Sequence, residues 1–198
     1  LTAISFLVAV GFGLIIPAIP IFAKTFGVSN TLVGLIVSSF AIVRFVSGLI
    51  SGKLVEVFGE RLVLGCGLLM VSIFALMAGL AQSYDQLLFF RSAGGLGSSM
   101  FSVSAGALIL RVVNDSQRGR AQSLYNGGFI AGGVAGPAFG GALLAISPRA
   151  PFFLYTGLLI VAGTFALIFL HEKRLGPGAA TTNTEPPILR SEERRVGK

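Results

Sequence analysis

Apolar residues fall into six blocks along the 198-residue chain, with short polar punctuation between them. A helix needs about 20 mostly apolar residues to cross a bilayer. Six stretches meet that length: Thr2 to Ala23, Thr31 to Ser51, Leu62 to Ala81, Gln86 to Leu110, Ala121 to Ile146 and Pro151 to Leu170. The connections are short, so consecutive helices are expected to run antiparallel. The pattern predicts an all-α membrane protein with six transmembrane helices over residues 1–175.

Composition sharpens this reading. The chain is 54% hydrophobic and 12% charged, and mean hydropathy is +0.86. A water-soluble domain carries about 25% charged residues. Formal net charge is +7, but the basic residues sit between the apolar blocks and form no basic face interleaved with aromatics. Nucleic acid is therefore not an expected partner; the lipid bilayer is. Cys66 is the single cysteine and His171 the single histidine. No internal disulfide and no metal or cofactor site is expected.

The loops carry an orientation signal. Lys53 and Arg61 follow the second block, Arg111, Arg118 and Arg120 the fourth, and Lys173 and Arg174 the sixth. The alternate connections hold only Lys24 and Arg149. The positive-inside rule places the richer set, and both ends of the six-helix block, in the cytoplasm.

Beyond Leu175 the composition changes. "GPGAATTNTEPP" opens a small, polar, proline-bearing stretch expected to be a flexible cytoplasmic linker over residues 176–189. Residues 190–198, "RSEERRVGK", resemble the in-frame translation of a short-read sequencing adapter. They are read as a non-native tail. Without them Lys and Arg fall from 15 to 11, Asp and Glu from 8 to 6, and net charge from +7 to +5.

Glycines are placed with a period. Gly128, Gly132, Gly136 and Gly140 recur every four residues in the fifth block and make a side-chain-free stripe on one helix face. Close backbone approach is what such stripes provide in lipid. Pro137 lies four residues after Gly133, and Pro17 four after Gly13. Each proline crowds the carbonyl of a residue that can yield, so Gly13 with Pro17, and Gly133 with Pro137, are bend candidates. The fourth block carries a further small-residue stripe: Gly94, Ser98, Ser102 and Gly106.

Two cations lie at membrane depth. Arg44 is about 12 Å from Gly52, and Arg91 about 9 Å from Asp85, at about 1.5 Å per helical residue. Arginine within the hydrocarbon costs several kcal/mol by insertion scales. No Asp or Glu lies at that depth in any of the six blocks. A water-lined cavity or an anionic ligand is the expected resolution. Arg44 and Arg91 are accordingly the substrate or coupling candidates, and Arg91 is expected to face a polar cavity.

Three motifs, in order, resemble those of the major facilitator superfamily. "GKLVEVFGERLVL" resembles its cytoplasmic signature, with Gly52, Gly59 and Arg61 in matching positions, Glu56 where the family usually has Asp, and Val57 and Glu60 where basic residues are common. The resemblance implies that Glu56 caps a helix of the other half and helps hold the cytoplasmic gate closed. "RSAGGLG" resembles the fourth-span motif at Arg91, Gly95 and Gly97, implying proton or substrate handling by the arginine. "GGVAGPAFGG" resembles the fifth-span antiporter motif at Gly132, Gly136, Pro137, Gly140 and Gly141. The resemblance implies one half, a 3+3 helix repeat, of a twelve-helix fold, its C-terminal six-helix half absent from this chain.

The implied function is secondary active efflux of small molecules or drugs, with the proton as coupling ion, by alternating access in the plasma (inner) membrane. An importer or uniporter of small metabolites is the alternative. An enzyme would need a nucleophile–base pair, a metal cluster or an intramembrane acid. A channel would need a filter segment or a charged ring. The sequence displays neither set, and no phosphate-binding loop for an ATP-driven pump.

Overall fold

A computed structural model describes residues 1–169. His171, the linker over 176–189 and the tail over 190–198 lie outside the described residues. Six helices occupy the chain: α1 (Thr2–Lys24), α2 (Asn30–Phe58), α3 (Glu60–Gly79), α4 (Tyr84–Val112), α5 (Arg118–Leu144) and α6 (Ala150–Phe169). All six are long and apolar enough to span a bilayer. The protein is a multi-pass membrane protein.

Each helix begins and ends for local reasons. Ser29 caps α2 by accepting from the Leu32 N–H at 3.4 Å. Ser83 caps α4 by accepting from the Gln86 N–H, while the Gln86 side chain accepts from the Gln82 N–H. The largest departure from expectation is at the end of α2. It does not stop at Ser51 but continues to Phe58, so Gly52 and Glu56 are helical. A single residue, Gly59, separates α2 from α3. Its φ of 85° and ψ of 158° belong to a region essentially confined to glycine.

Neighbour relations reveal the repeat that the sequence hides. The main contacts are α1 with α5, α2 with α4, α3 with α4, α1 with α6, and α3 with α6. Exchanging α1, α2 and α3 for α4, α5 and α6 turns α1–α5 into α4–α2 and α3–α4 into α6–α1. It leaves α3–α6 unchanged. The set of contacts maps onto itself, as expected of two three-helix repeats.

The core is built from Ile4, Val8, Ile15 and Ile19 of α1, Leu64, Leu68 and Val71 of α3, and Phe152, Tyr155 and Leu159 of α6. Serines join helices where side chains are small. Ser99 of α4 meets both Ser47 at 2.9 Å and Ser51 at 2.7 Å on α2, and Ser72 of α3 donates to the Thr156 carbonyl of α6. In lipid, interhelical hydrogen bonds of this kind contribute about 0.6–2 kcal/mol each. α2 and α5 are the least buried helices; Phe45 is 85% exposed and Val134 76%.

Candidate functional site

The four-residue glycine stripe of α5 lies flat on α1. A methyl group at Gly132 would meet the Phe6 carbonyl oxygen at 2.6 Å, one at Gly136 the Val10 carbonyl oxygen at 2.6 Å, and one at Gly140 the Leu14 carbonyl oxygen at 2.7 Å. Gly128 is similarly close to Ser5 and Thr2. Gly13 belongs to this contact: a methyl there would meet Gly136 Cα at 2.9 Å and Pro137 Cδ at 3.0 Å. Gly13 therefore admits α5, a use separate from the relief of Pro17 expected of it. α1 runs as one helix through Pro17 and Pro20, and α5 through Pro137. Gly133 and Gly141 face open space.

On α4 the packing glycines are Gly95 and Gly97. A methyl at Gly95 would meet the Phe40 carbonyl oxygen of α2 at 2.7 Å, and one at Gly97 the Val71 Cγ2 of α3 at 2.8 Å. The expected small stripe has a different task. Ser98, Ser102 and Gly106 line a cavity of about 470 Å³. Periodic small residues on α5 make a contact, and on α4 they leave a void.

That cavity is bounded by Val8 and Phe12 of α1, Arg44 of α2, Phe101 of α4, Gln122, Tyr125, Asn126 and Phe129 of α5, and Tyr155 of α6. It reaches toward the end of the bundle where α4 ends and α5 begins. The Gln122 amide donates to the Asn126 amide oxygen at 3.1 Å. Arg44 is half-buried and also borders an adjoining groove of about 530 Å³ between α2 and α4.

Arg91 is placed otherwise than expected. It is 7% exposed, so it does not reach an interface. Nor does it line the large cavity. Its guanidinium carbon sits 4.0 Å from the centre of the Phe40 ring and 5.6 Å from that of Phe12. The void beside it is only about 10 Å³, below what one water needs. Its Nε has no hydrogen-bond partner. Cation–π attraction to the two aromatic faces offsets part of the cost of burying the charge, and among the described residues no carboxylate pairs with it. Phe12 borders both the large cavity and this cation.

At the α2–α3 junction, Glu56 is exposed in the last turn of α2. Arg61 turns toward α6, donating to the Leu167 carbonyl. Glu60, one of the departures from the signature, is the buried member of an ion pair, 2.8 Å from Arg111 at the end of α4. Sequence reading passed over this pair. Its signal was an acid and a base at two helix ends assigned to the same side of the membrane. On the opposite side Arg149 donates to the Ala81 carbonyl at 3.1 Å and lies over the Phe22 ring.

Residues 1–195 match the family model described as Major Facilitator Superfamily. The chain belongs to the major facilitator superfamily. It is 27% identical over 188 residues to the Quinolone resistance protein NorA of Staphylococcus aureus (strain N315), covering 93% of this chain and 47% of that protein. It is 27% identical over 172 residues to Multidrug resistance protein 1 of Bacillus subtilis (strain 168), covering 87% of this chain and 44% of that protein. The chain thus spans about half the length of the curated relatives it matches.

Proposed function

We propose that the chain is the N-terminal half of a proton-coupled exporter of small molecules that works by alternating access in the plasma membrane. The cavity of about 470 Å³ carries this reading. Its volume falls within the roughly 300–1,000 Å³ of small-molecule sites, and five of the six helices contribute to its wall. The relatives named for quinolone and multidrug resistance supply the direction of transport. The α1–α5 contact suits a moving bundle, because glycine faces slide without interlocking side chains. Among the described residues no carboxylate lies at bilayer depth, so the coupling proton is read as bound outside these six helices.

The test is uptake of ethidium into everted vesicles carrying the intact transporter, where export from the cell becomes accumulation in the lumen. An imposed proton gradient should drive ethidium movement, and collapsing it with an ionophore should stop it. Movement that persists unchanged after collapse removes proton coupling. No movement of ethidium or of a panel of aromatic drugs removes the export reading.

A further inference from the structure

We propose that Phe12 is a movable lid between the cavity and Arg91. Its ring covers the guanidinium in this structure, and in a second state it turns into the cavity and presents Arg91 to whatever the cavity holds. The use of that motion rests on reading the cavity as the transport site; the motion itself does not.

One face of α1 runs from the cavity to the cation. Val8 and Phe12 line the cavity, and Ile15 lines the void of about 10 Å³ beside Arg91. Residues at this spacing share a helix face, and Phe12 stands at the boundary. Two cavity-lining rings lie beside the guanidinium: Phe12, whose centre is 5.6 Å from it, and Tyr155, which interacts with it electrostatically. They differ in freedom. Tyr155 is buried against the bare backbone of Gly11, where a methyl would meet its Cε2 at 2.8 Å. Phe40, the nearer face on Arg91, is also buried, and its carbonyl is held against Gly95. Phe12 is half-buried and borders both the cavity of about 470 Å³ and the groove of about 530 Å³, so its ring has room to turn. Gly11 and Gly13 pin the α1 backbone on either side of it, against α6 and α5. The side-chain torsion, with its discrete staggered wells, is left as the moving part. The covered arrangement is also incomplete. Arg91 Nε is buried and has no hydrogen-bond partner among the described residues, and the void beside it is too small for water. With no free surface, that atom is out of reach of any protein packed onto these six helices from outside. It is met only when a covering group moves. An orphaned buried donor of this kind calls for a functional explanation. Turning Phe12 gives up the longer of the two cation–π contacts and opens the guanidinium to the cavity.

The experiment follows modification of Arg91 by methylglyoxal in the purified intact transporter, resolved by peptide mass spectrometry, with Arg44 as internal monitor. An open state populated at about 0.1–10% protects a group about 10–1,000-fold, so Phe12→Ala should raise the Arg91 rate by about that factor. Arg44, already at the cavity wall, should change little. Phe12→Tyr keeps the ring and should stay at the unaltered rate; a Phe12→Tyr variant as reactive as Phe12→Ala overturns the aromatic cover. Where Phe12→Ala folds poorly, Phe12→Leu, which also lacks the aromatic face, carries the comparison. Unchanged Arg91 reactivity in both apolar variants overturns the proposal, and so does an equal rise at Arg44 and Arg91, which marks general loosening. The motion is read on the unaltered protein in everted vesicles, where Arg91 modification should rise when a proton gradient and ethidium are supplied together. A resting rate at Arg91 in every condition, with or without ethidium uptake, overturns the lid and leaves Phe12 a fixed cover. A rise at Arg91 without ethidium uptake supports the lid and defeats only the transport reading.

Discussion

At the residue scale, the distinction between Arg44 and Arg91 decides how the site is understood. Their depth was legible from position alone, because each is more than a helical turn inside an apolar block. Which of them reaches the cavity was not legible. That depends on Phe12, which belongs to α1 and lies far from both in sequence, yet stands at the cavity wall and against Arg91. The Arg91 position leads to a prediction that separates fold from function. Aromatic faces offset part of the cost of a buried guanidinium, about 2 kcal/mol when desolvated. An apolar side chain of similar length removes both the cost and the attraction, and such replacements are often neutral for stability. Arg91→Met in the intact transporter is therefore expected to leave the thermal midpoint in detergent within about 2 °C, a shift worth roughly 1–2 kcal/mol for a protein of this size. Efflux should fall at least about tenfold if Arg91 is uncovered by Phe12 during transport, a change of about 1.4 kcal/mol in barrier. Full efflux by a stable Arg91→Met variant identifies the arginine as a packing group only.

At the element scale, small residues carry two opposite meanings. The spacing of Gly128, Gly132, Gly136 and Gly140 announced a contact face, and they make one against α1. The equally spaced Gly94, Ser98, Ser102 and Gly106 announced the same and instead flank hollows. Periodicity shows that a face is bare and is silent about whether a neighbour or a void lies over it. Gly136→Leu would drive a side chain into the Val10 carbonyl and Gly13 Cα, each 2.6 Å from the first added carbon. Overpacking costs about 1–3 kcal/mol where side chains can yield, and here the obstacle is backbone. Efflux by Gly136→Leu should be abolished, while Gly157→Leu, on an exposed part of α6 with nothing within 4 Å, should transport as the parent does. Equal efflux by the two variants removes the packing role. The α3–α4 ends give a second prediction. Glu60 is buried and Arg111 is 58% exposed, so the two sides of the pair are not equivalent. Arg111→Ala strands a buried carboxylate, which costs about 3–5 kcal/mol when fully unpaired. Glu60→Gln leaves only a solvated arginine. The thermal midpoint should fall further for Arg111→Ala than for Glu60→Gln, and the reverse order would show that the pair is not held by burial of the acid.

At the scale of the whole molecule, the number of helices and their order were legible because a bilayer sets a length that apolar blocks either meet or miss. The repeat was not legible. Its two halves share neighbour relations rather than residues: on α1 Gly13 meets Gly136 and Pro137 of α5, and on α4 Gly95 meets Phe40 and Arg44 of α2. Equivalent contacts made by unlike side chains leave no trace in a sequence read against itself. What sequence and structure jointly suggest is the direction in which the bundle is inserted. One end carries Lys53, Arg61, Arg111, Arg118 and Arg120. The other carries Lys24 and Arg149, and Arg149 is already engaged with the Ala81 carbonyl and the Phe22 ring. Retention of basic residues on the cytoplasmic side then predicts that the α4–α5 connection is inside and the α3–α4 connection outside. The chain offers a direct way to check this. Its single cysteine, Cys66, is exposed on α3, so Cys66→Ala gives a background free of thiols within these residues, and any cysteine elsewhere in the intact transporter is removed likewise. Gln82→Cys and Asn114→Cys then place one thiol at each end, both at exposed positions. A membrane-impermeant maleimide applied to intact cells should label Gln82→Cys at once. Asn114→Cys should be labelled only after the membrane is opened. The opposite pattern would invert the bundle and place the Glu60–Arg111 pair, together with the α5 end of the cavity, on the outer face, where the gate implied by the signature at Gly52, Glu56, Gly59 and Arg61 has no cytoplasmic role to play.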